Sequence, residues 1–184
     1  PARYSPDGTT IVTAAGEHTA KIWDVNTGKL SHSLEGHKGN VGSAQFSPDS
    51  KIVLTTSYKT ARIWDATTGK LIHSLEGHKG NVGSARFSPD SKTVVTTSNK
   101  TARIWDVASG KLIYSLKGHT YEVNSARFSP DGKTIVTADG RRAPIWVAAT
   151  GKLILILNKR HTLLIDDQVN TARYSPHGKT IVTV

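Results

Sequence analysis

Between residues 41 and 81 the chain reads VGSAQFSPDSKIVLTTSYKTARIWDATTGKLIHSLEGHKGN, and residues 82 to 122 repeat that string with about 70% identity. Reading this stretch decides the fold. Val41 to Phe46 is a short β-rich run, closed by Ser47-Pro48-Asp49-Ser50. In that turn the proline presets φ and the Asp can bond its own backbone. Lys51 to Ser57 is rich in β-branched residues and predicts a second strand. Tyr58-Lys59 predicts a tight hairpin, Thr60 to Asp65 a third strand, Ala66 to Gly69 a turn and Lys70 to Glu76 a fourth strand. Four short strands joined by hairpins make an antiparallel meander. No segment keeps a 3.6-residue apolar period over helical length.

Outward from this unit the same clock continues. Trp23, Trp64, Trp105 and Trp146 are each 41 residues apart. Ile-Trp-Asp ends at Asp24, Asp65 and Asp106, and survives as Ile145-Trp146-Val147. Gly-His recurs at His37, His78 and His119, and an aromatic followed by Ser-Pro at Tyr4, Phe46, Phe87, Phe128 and Tyr174. The units run roughly over 1–40, 41–81, 82–122 and 123–168, with a partial fifth over 169–184. One four-stranded sheet cannot bury both of its faces. Ala61 and Ile63 point to one side of the third strand and Trp64 to the other, so both faces need neighbours. Radial stacking of such sheets is the economical solution.

Composition narrows the function. The 184 residues include no Cys, which excludes a disulfide framework, a thiolate metal site and a cysteine nucleophile. Lys plus Arg is 24 against 14 Asp plus Glu, a net charge of +10. The longest apolar run, Leu153 to Leu157, is too short to span a bilayer. No signal peptide is legible, so a cytoplasmic location without membrane contact is expected, although the start at Pro1 reads as truncated.

The Gly-His pair, the aromatic-Ser-Pro-Asp turn and the Ile-Trp-Asp strand end, repeated in register, resemble the WD-repeat β-propeller family. The near identity of units two and three resembles bacterial and cyanobacterial members. The resemblance covers nearly the whole chain. It implies an all-β propeller of four-stranded antiparallel blades, here about four blades plus a partial fifth. Such a piece is expected to be a fragment of a larger ring; a ring completed by a second copy and a compact four-bladed ring are the alternatives.

The resemblance also implies a buried relay of Trp, Ser or Thr, His and Asp in each blade. Carried over by position, Thr13, Thr55, Thr96 and Thr137 partner Trp23, Trp64, Trp105 and Trp146, while His37, His78 and His119 supply imidazoles to the second, third and fourth units. The turn where the family keeps its Asp reads Gly16-Glu17-His18, Tyr58-Lys59, Asn99-Lys100 and Gly140-Arg141, so three members are expected in most blades. Trp105 is expected to be buried with its indole N–H on Thr96. Hydroxyls, imidazoles and carboxylates that recur once per unit read as architecture rather than as a triad or zinc site. No catalytic residue, metal ligand set or cofactor-binding motif is found.

The resemblance implies a non-catalytic protein-interaction scaffold. The alternative is capture of an acidic partner, an acidic protein in preference to nucleic acid, on a basic face. In the family, the loops before the first strand and between the second and third strands share one face. Here they carry Lys38, Lys59, Lys79, Lys100, Arg141, Arg142, Lys159 and Arg160, opposed by Glu17, Glu122, Asp139, Asp166 and Asp167, mostly toward the two outer units. No aromatic ladder interleaves these cations as single-strand binding requires. The step from Phe128 to Tyr174 is 46 residues, so five are inserted, and this loop adds the apolar Leu163-Leu164-Ile165 as a candidate contact. Open blade edges add self-association as a further expected contact.

Overall fold

The computed structural model describes residues 1–14, 17–158 and 169–184. Eighteen strands form five antiparallel sheets among the described residues. The first sheet is β1 (Ala2–Tyr4), β2 (Thr10–Ala14), β3 (Ala20–Asp24) and β4 (Leu30–Leu34). The second is β5 (Ser43–Phe46), β6 (Ile52–Thr56), β7 (Ala61–Asp65) and β8 (Leu71–Leu75). The third is β9 (Ser84–Phe87), β10 (Thr93–Ser98), β11 (Thr101–Asp106) and β12 (Leu112–Leu116). The fourth is β13 (Ser125–Phe128), β14 (Thr134–Ala138), β15 (Arg142–Val147) and β16 (Leu153–Asn158). The two-stranded fifth is β17 (Ala172–Tyr174) and β18 (Ile181–Thr183). Each sheet pairs its strands in chain order, so the predicted meander is the observed one.

The turns explain the regularity. Ser88 is buried and its hydroxyl donates to Asp90 Oδ1 at 2.6 Å, while the Ser88 hydroxyl oxygen accepts from Thr93 N at 2.9 Å. The same contacts close the Ser-Pro turns at Ser47 and Ser129. In the four complete sheets the register between third and fourth strands slips between the isoleucine and the tryptophan, at Ile22/Trp23, Ile63/Trp64, Ile104/Trp105 and Ile145/Trp146. A slip of this kind re-aims one side chain without ending the sheet.

The core lies between sheets. Trp64 packs on Val12, Ile22 and Leu34 of the first sheet, Trp105 on Leu54, Ile63 and Leu75 of the second, and Trp146 on Val95, Ile104 and Leu116 of the third. Val136 and Ala143 of the fourth sheet pack on Ala172 of the fifth. Trp64, Trp105 and Trp146 are therefore buried, whereas Trp23 is half-buried. The outer strands add a second tie between neighbours. His32 Nε2 lies 2.7 Å from the Thr67 carbonyl, and His73 Nε2 lies 2.9 Å from that of Ala108. On β16, Leu153, Ile154, Leu155 and Leu157 stay exposed.

Candidate functional site

The buried polar chain within each sheet comes first, because it positions the loops. Trp64 Nε1 donates to Thr55 Oγ1 at 2.8 Å, Trp105 Nε1 to Thr96 at 2.7 Å and Trp146 Nε1 to Thr137 at 3.0 Å. The same hydroxyls meet His37 Nε2 at 2.6 Å, His78 Nε2 at 2.7 Å and His119 Nε2 at 2.9 Å. In the first sheet Trp23 Nε1 donates to Thr13 at 2.9 Å. Each hydroxyl can donate once and accept twice, so one threonine serves both rings.

The second nitrogen of each imidazole is poorly served. His37 Nδ1 and His119 Nδ1 are buried without a hydrogen-bond partner, and His78 Nδ1 faces Thr101 Oγ1 at 3.4 Å. Charge beside the rings differs between sheets. Burial, with Arg62 adding, pulls His37 down to about 4 from the ordinary 6.5, and burial with Arg103 does the same to His78. Both rings are neutral near pH 7. Arg62 and Arg103 lie over Trp64 and Trp105, and each leaves a buried Nε unpaired.

The fourth sheet has a carboxylate that the sequence reading counted as a surface charge and did not place beside the relay. Asp139 is fully buried, two residues after the relay threonine Thr137. It raises the pKa of His119 against the dominant, lowering effect of burial. Arg142 Nη2 donates to Asp139 Oδ2 at 2.7 Å and to Thr120 Oγ1 at 2.8 Å. Arg142 is therefore a tether between the β14–β15 turn and the Gly-His loop, rather than a free cation awaiting a partner. The signal was the Asp139-Gly140 pair, read one residue too late.

The turns between second and third strands meet the segment that leads into the next sheet's first strand through the backbone. Val41 N donates to Glu17 O at 2.8 Å, Lys59 N to Gly80 O at 3.2 Å, Val123 N to Asn99 O at 2.6 Å and Val169 N to Gly140 O at 2.7 Å. These loops therefore share one face. On it Lys38, Lys59, Lys79, Lys100 and Arg141 are exposed. Lys59 Nζ sits 4.9 Å above the ring of Tyr58, and Arg141 lies 5.9 Å from that of Tyr121. The candidate residues Lys159, Arg160, Leu163 and Leu164 lie outside the described residues. Among the described residues no three His, Asp or Glu side chains come close enough to hold a metal ion.

The sequence profile described as WD domain, G-beta repeat matches residues 2–24, 28–65, 69–106 and 110–146. The chain belongs to the WD-repeat family. Proteins of this family in general act as protein-interaction scaffolds and are typically non-enzymatic. The WD-repeat chain is similar to cilia- and flagella-associated protein 52 of Sus scrofa, 34% identical over 53 residues, which is 29% of this chain and 8% of that protein. It is similar to the human U5 small nuclear ribonucleoprotein 40 kDa protein, 30% identical over 54 residues, 29% of this chain and 15% of that protein. It is also similar to WD repeat-containing protein 37 of Xenopus laevis, 44% identical over 45 residues, 24% of this chain and 9% of that protein. The matched stretches thus span between 8% and 15% of these relatives' lengths.

Proposed function

We propose that this chain is a non-catalytic interaction scaffold whose Gly-His-loop face docks an acidic protein surface. One observation carries the reading: five exposed cations, Lys38, Lys59, Lys79, Lys100 and Arg141, stand on loops tied together by backbone hydrogen bonds. Rigid loops lower the ordering cost of docking, and the excess of these cations over the exposed Glu17, Glu76 and Glu122 on the same loops speeds encounter with an acidic partner. Tyr58 and Tyr121 lie beside Lys59 and Arg141 and form no ladder on which bases could stack. An acidic protein is favoured over nucleic acid for that reason.

The test is charge reversal of Lys59, Lys100 and Arg141 to Glu, with binding to a poly-glutamate peptide and to duplex DNA followed across a salt series. Arg142 stays untouched, because its loss would unpair Asp139. The reading expects poly-glutamate binding to be lost and its salt dependence with it. Stronger binding to duplex DNA than to poly-glutamate, or unchanged binding after reversal, overturns it.

A further inference from the structure

The innermost strands hold a second basic site, away from the loops. The penultimate residues of β1, β5, β9, β13 and β17 are Arg3, Gln45, Arg86, Arg127 and Arg173. Each sits at one register position, opposite Val12, Leu54, Val95, Val136 and Val182. Five sheets therefore present these side chains at one height. All five line a single cavity of about 600 Å³. Pro89, Pro130 and Pro176 line it too, so it opens toward the Ser-Pro turns, at the opposite end of the first strands from the Gly-His loops.

Four guanidinium groups here meet no counter-charge among the described residues. Among the described residues no carboxylate lines the cavity, and the one ion pair found joins Arg142 to Asp139 elsewhere. Arg86 Nη1 donates to the Ala85 carbonyl at 2.6 Å, and Gln45 Nε2 donates to the same oxygen. These bonds fix two side chains along the wall and leave most of the guanidinium donors free. Arg127 is half-buried, and burial together with the nearby Arg173 and Arg3 pulls its pKa below the usual arginine value. A mutually repelling set of arginines, with Arg127 partly desolvated at its centre, is stabilised by whatever brings negative charge to it.

The chemistry of that ligand follows from the donor set and the space. A planar fork of N–H groups matches phosphate or carboxylate oxygens in pairs. The volume falls within the range of small-molecule sites. Each phosphate brings more charge and more acceptor oxygens per unit volume than a carboxylate. An acidic peptide would have to thread its backbone through the same space. We propose that this cavity binds a compact polyphosphate-type anion, at a site separate from the face that docks an acidic protein. The inference stands without the docking reading, since the two sites share no residue.

The experiment is calorimetric titration of the whole chain with sodium tripolyphosphate, with thermal unfolding followed in parallel. One saturable site and a raised Tm are expected. Arg127→Gln and Arg173→Gln should each weaken binding about tenfold, the loss expected for one charge-assisted contact. Gln45→Arg, which completes the ring of arginines, should tighten it, an outcome that a merely misfolded variant cannot give. The pair Lys59→Glu, Lys100→Glu should leave affinity within about twofold, since neither lysine lines the cavity and salt screens exposed charge. Absence of saturable binding overturns the inference. So does unchanged affinity in Arg127→Gln, or loss of affinity in the loop pair.

Discussion

The third and fourth sheets use the same indole, hydroxyl and imidazole, yet only the fourth sets a carboxylate beside the imidazole. In the third sheet the residue two places after the relay threonine is Ser98, whose hydroxyl is buried without a partner, and Arg103 is the charge felt by His78. In the fourth sheet that place holds Asp139, paired with Arg142 and felt by His119. Both imidazoles stay on their threonines, at 2.7 and 2.9 Å. The lesson is that burial and the shared hydroxyl fix the relay, while the neighbouring charge is free to vary. What the charge alters is how hard the ring is to protonate, and how firmly the Gly-His loop is tied to the sheet.

The largest expected effect concerns what the two sheets share. Trp105→Ala and Trp146→Ala should each cost about 3–5 kcal/mol, the usual range for emptying an aromatic core site. Urea unfolding measures both. A marked inequality between them would mean that the two cores are not equivalent, and the comparison would lose its footing.

Next in size is the position at which the sheets differ. Asp139→Ala should cost about 3 kcal/mol, because it leaves Arg142 without its carboxylate. Ser98→Ala should stay within about 0.5 kcal/mol, since that hydroxyl makes no bond to lose. Equal losses would show that the position is not the seat of the difference.

Acid titration sharpens the contrast further. His78 has its folded pKa lowered to about 4, against 6.5 for the ordinary residue. Below pH 6.5 the unfolded chain gains a proton that the folded chain refuses, so stability falls as pH drops from 6.5 toward about 4. His78→Gln should make the fall of the unfolding midpoint across that window shallower, with His37 and His119 keeping their share. The surface carboxylates act lower; Asp7 is held at about 2 chiefly by the Ser5 hydroxyl. Ser98→Asp, which copies the fourth sheet into the third, should raise the His78 pKa seen by NMR titration. No change there would remove Asp139 as the cause of the His119 behaviour.

The smallest effect is in the turns. Ser91 adopts φ 62°, whereas its counterpart in the fourth sheet is Gly132 at φ 72°. A serine in this left-handed region is strained and a glycine is not. Ser91→Gly should gain about 0.5 kcal/mol and Gly132→Ser lose a similar amount, read from paired thermal unfolding curves.

Much of this was legible beforehand, for a physical reason. A repeat of fixed length puts Trp105, Thr96 and His78 on the same clock as their counterparts, and a buried N–H must find an acceptor within reach. Asp139 was read as a surface charge rather than placed beside the relay, because it occupies a serine position rather than the turn itself. Arg142 was counted as a free cation because a sequence does not say which way a turn side chain points. The tethering of Arg142 and the crowding of Arg62 and Arg103 against buried rings both depend on contacts across a loop.

The sequence by itself determined the strand count, the hairpin meander and the identity of the relay, because each depends on neighbours at most one unit away. Periodicity, turn chemistry and hydrogen-bond need act at that range. Only the tertiary structure decided that Arg3, Arg86, Arg127 and Arg173, drawn from four different sheets, stand around one cavity. The triplet of Ala, Arg and an aromatic was visible at Ala2, Ala85, Ala126 and Ala172, but alternation along a strand names two faces without saying which one looks inward. That choice is made when successive sheets pack on one another's tryptophans and turn their first strands toward a common axis, a consequence of the whole assembly rather than of any single unit.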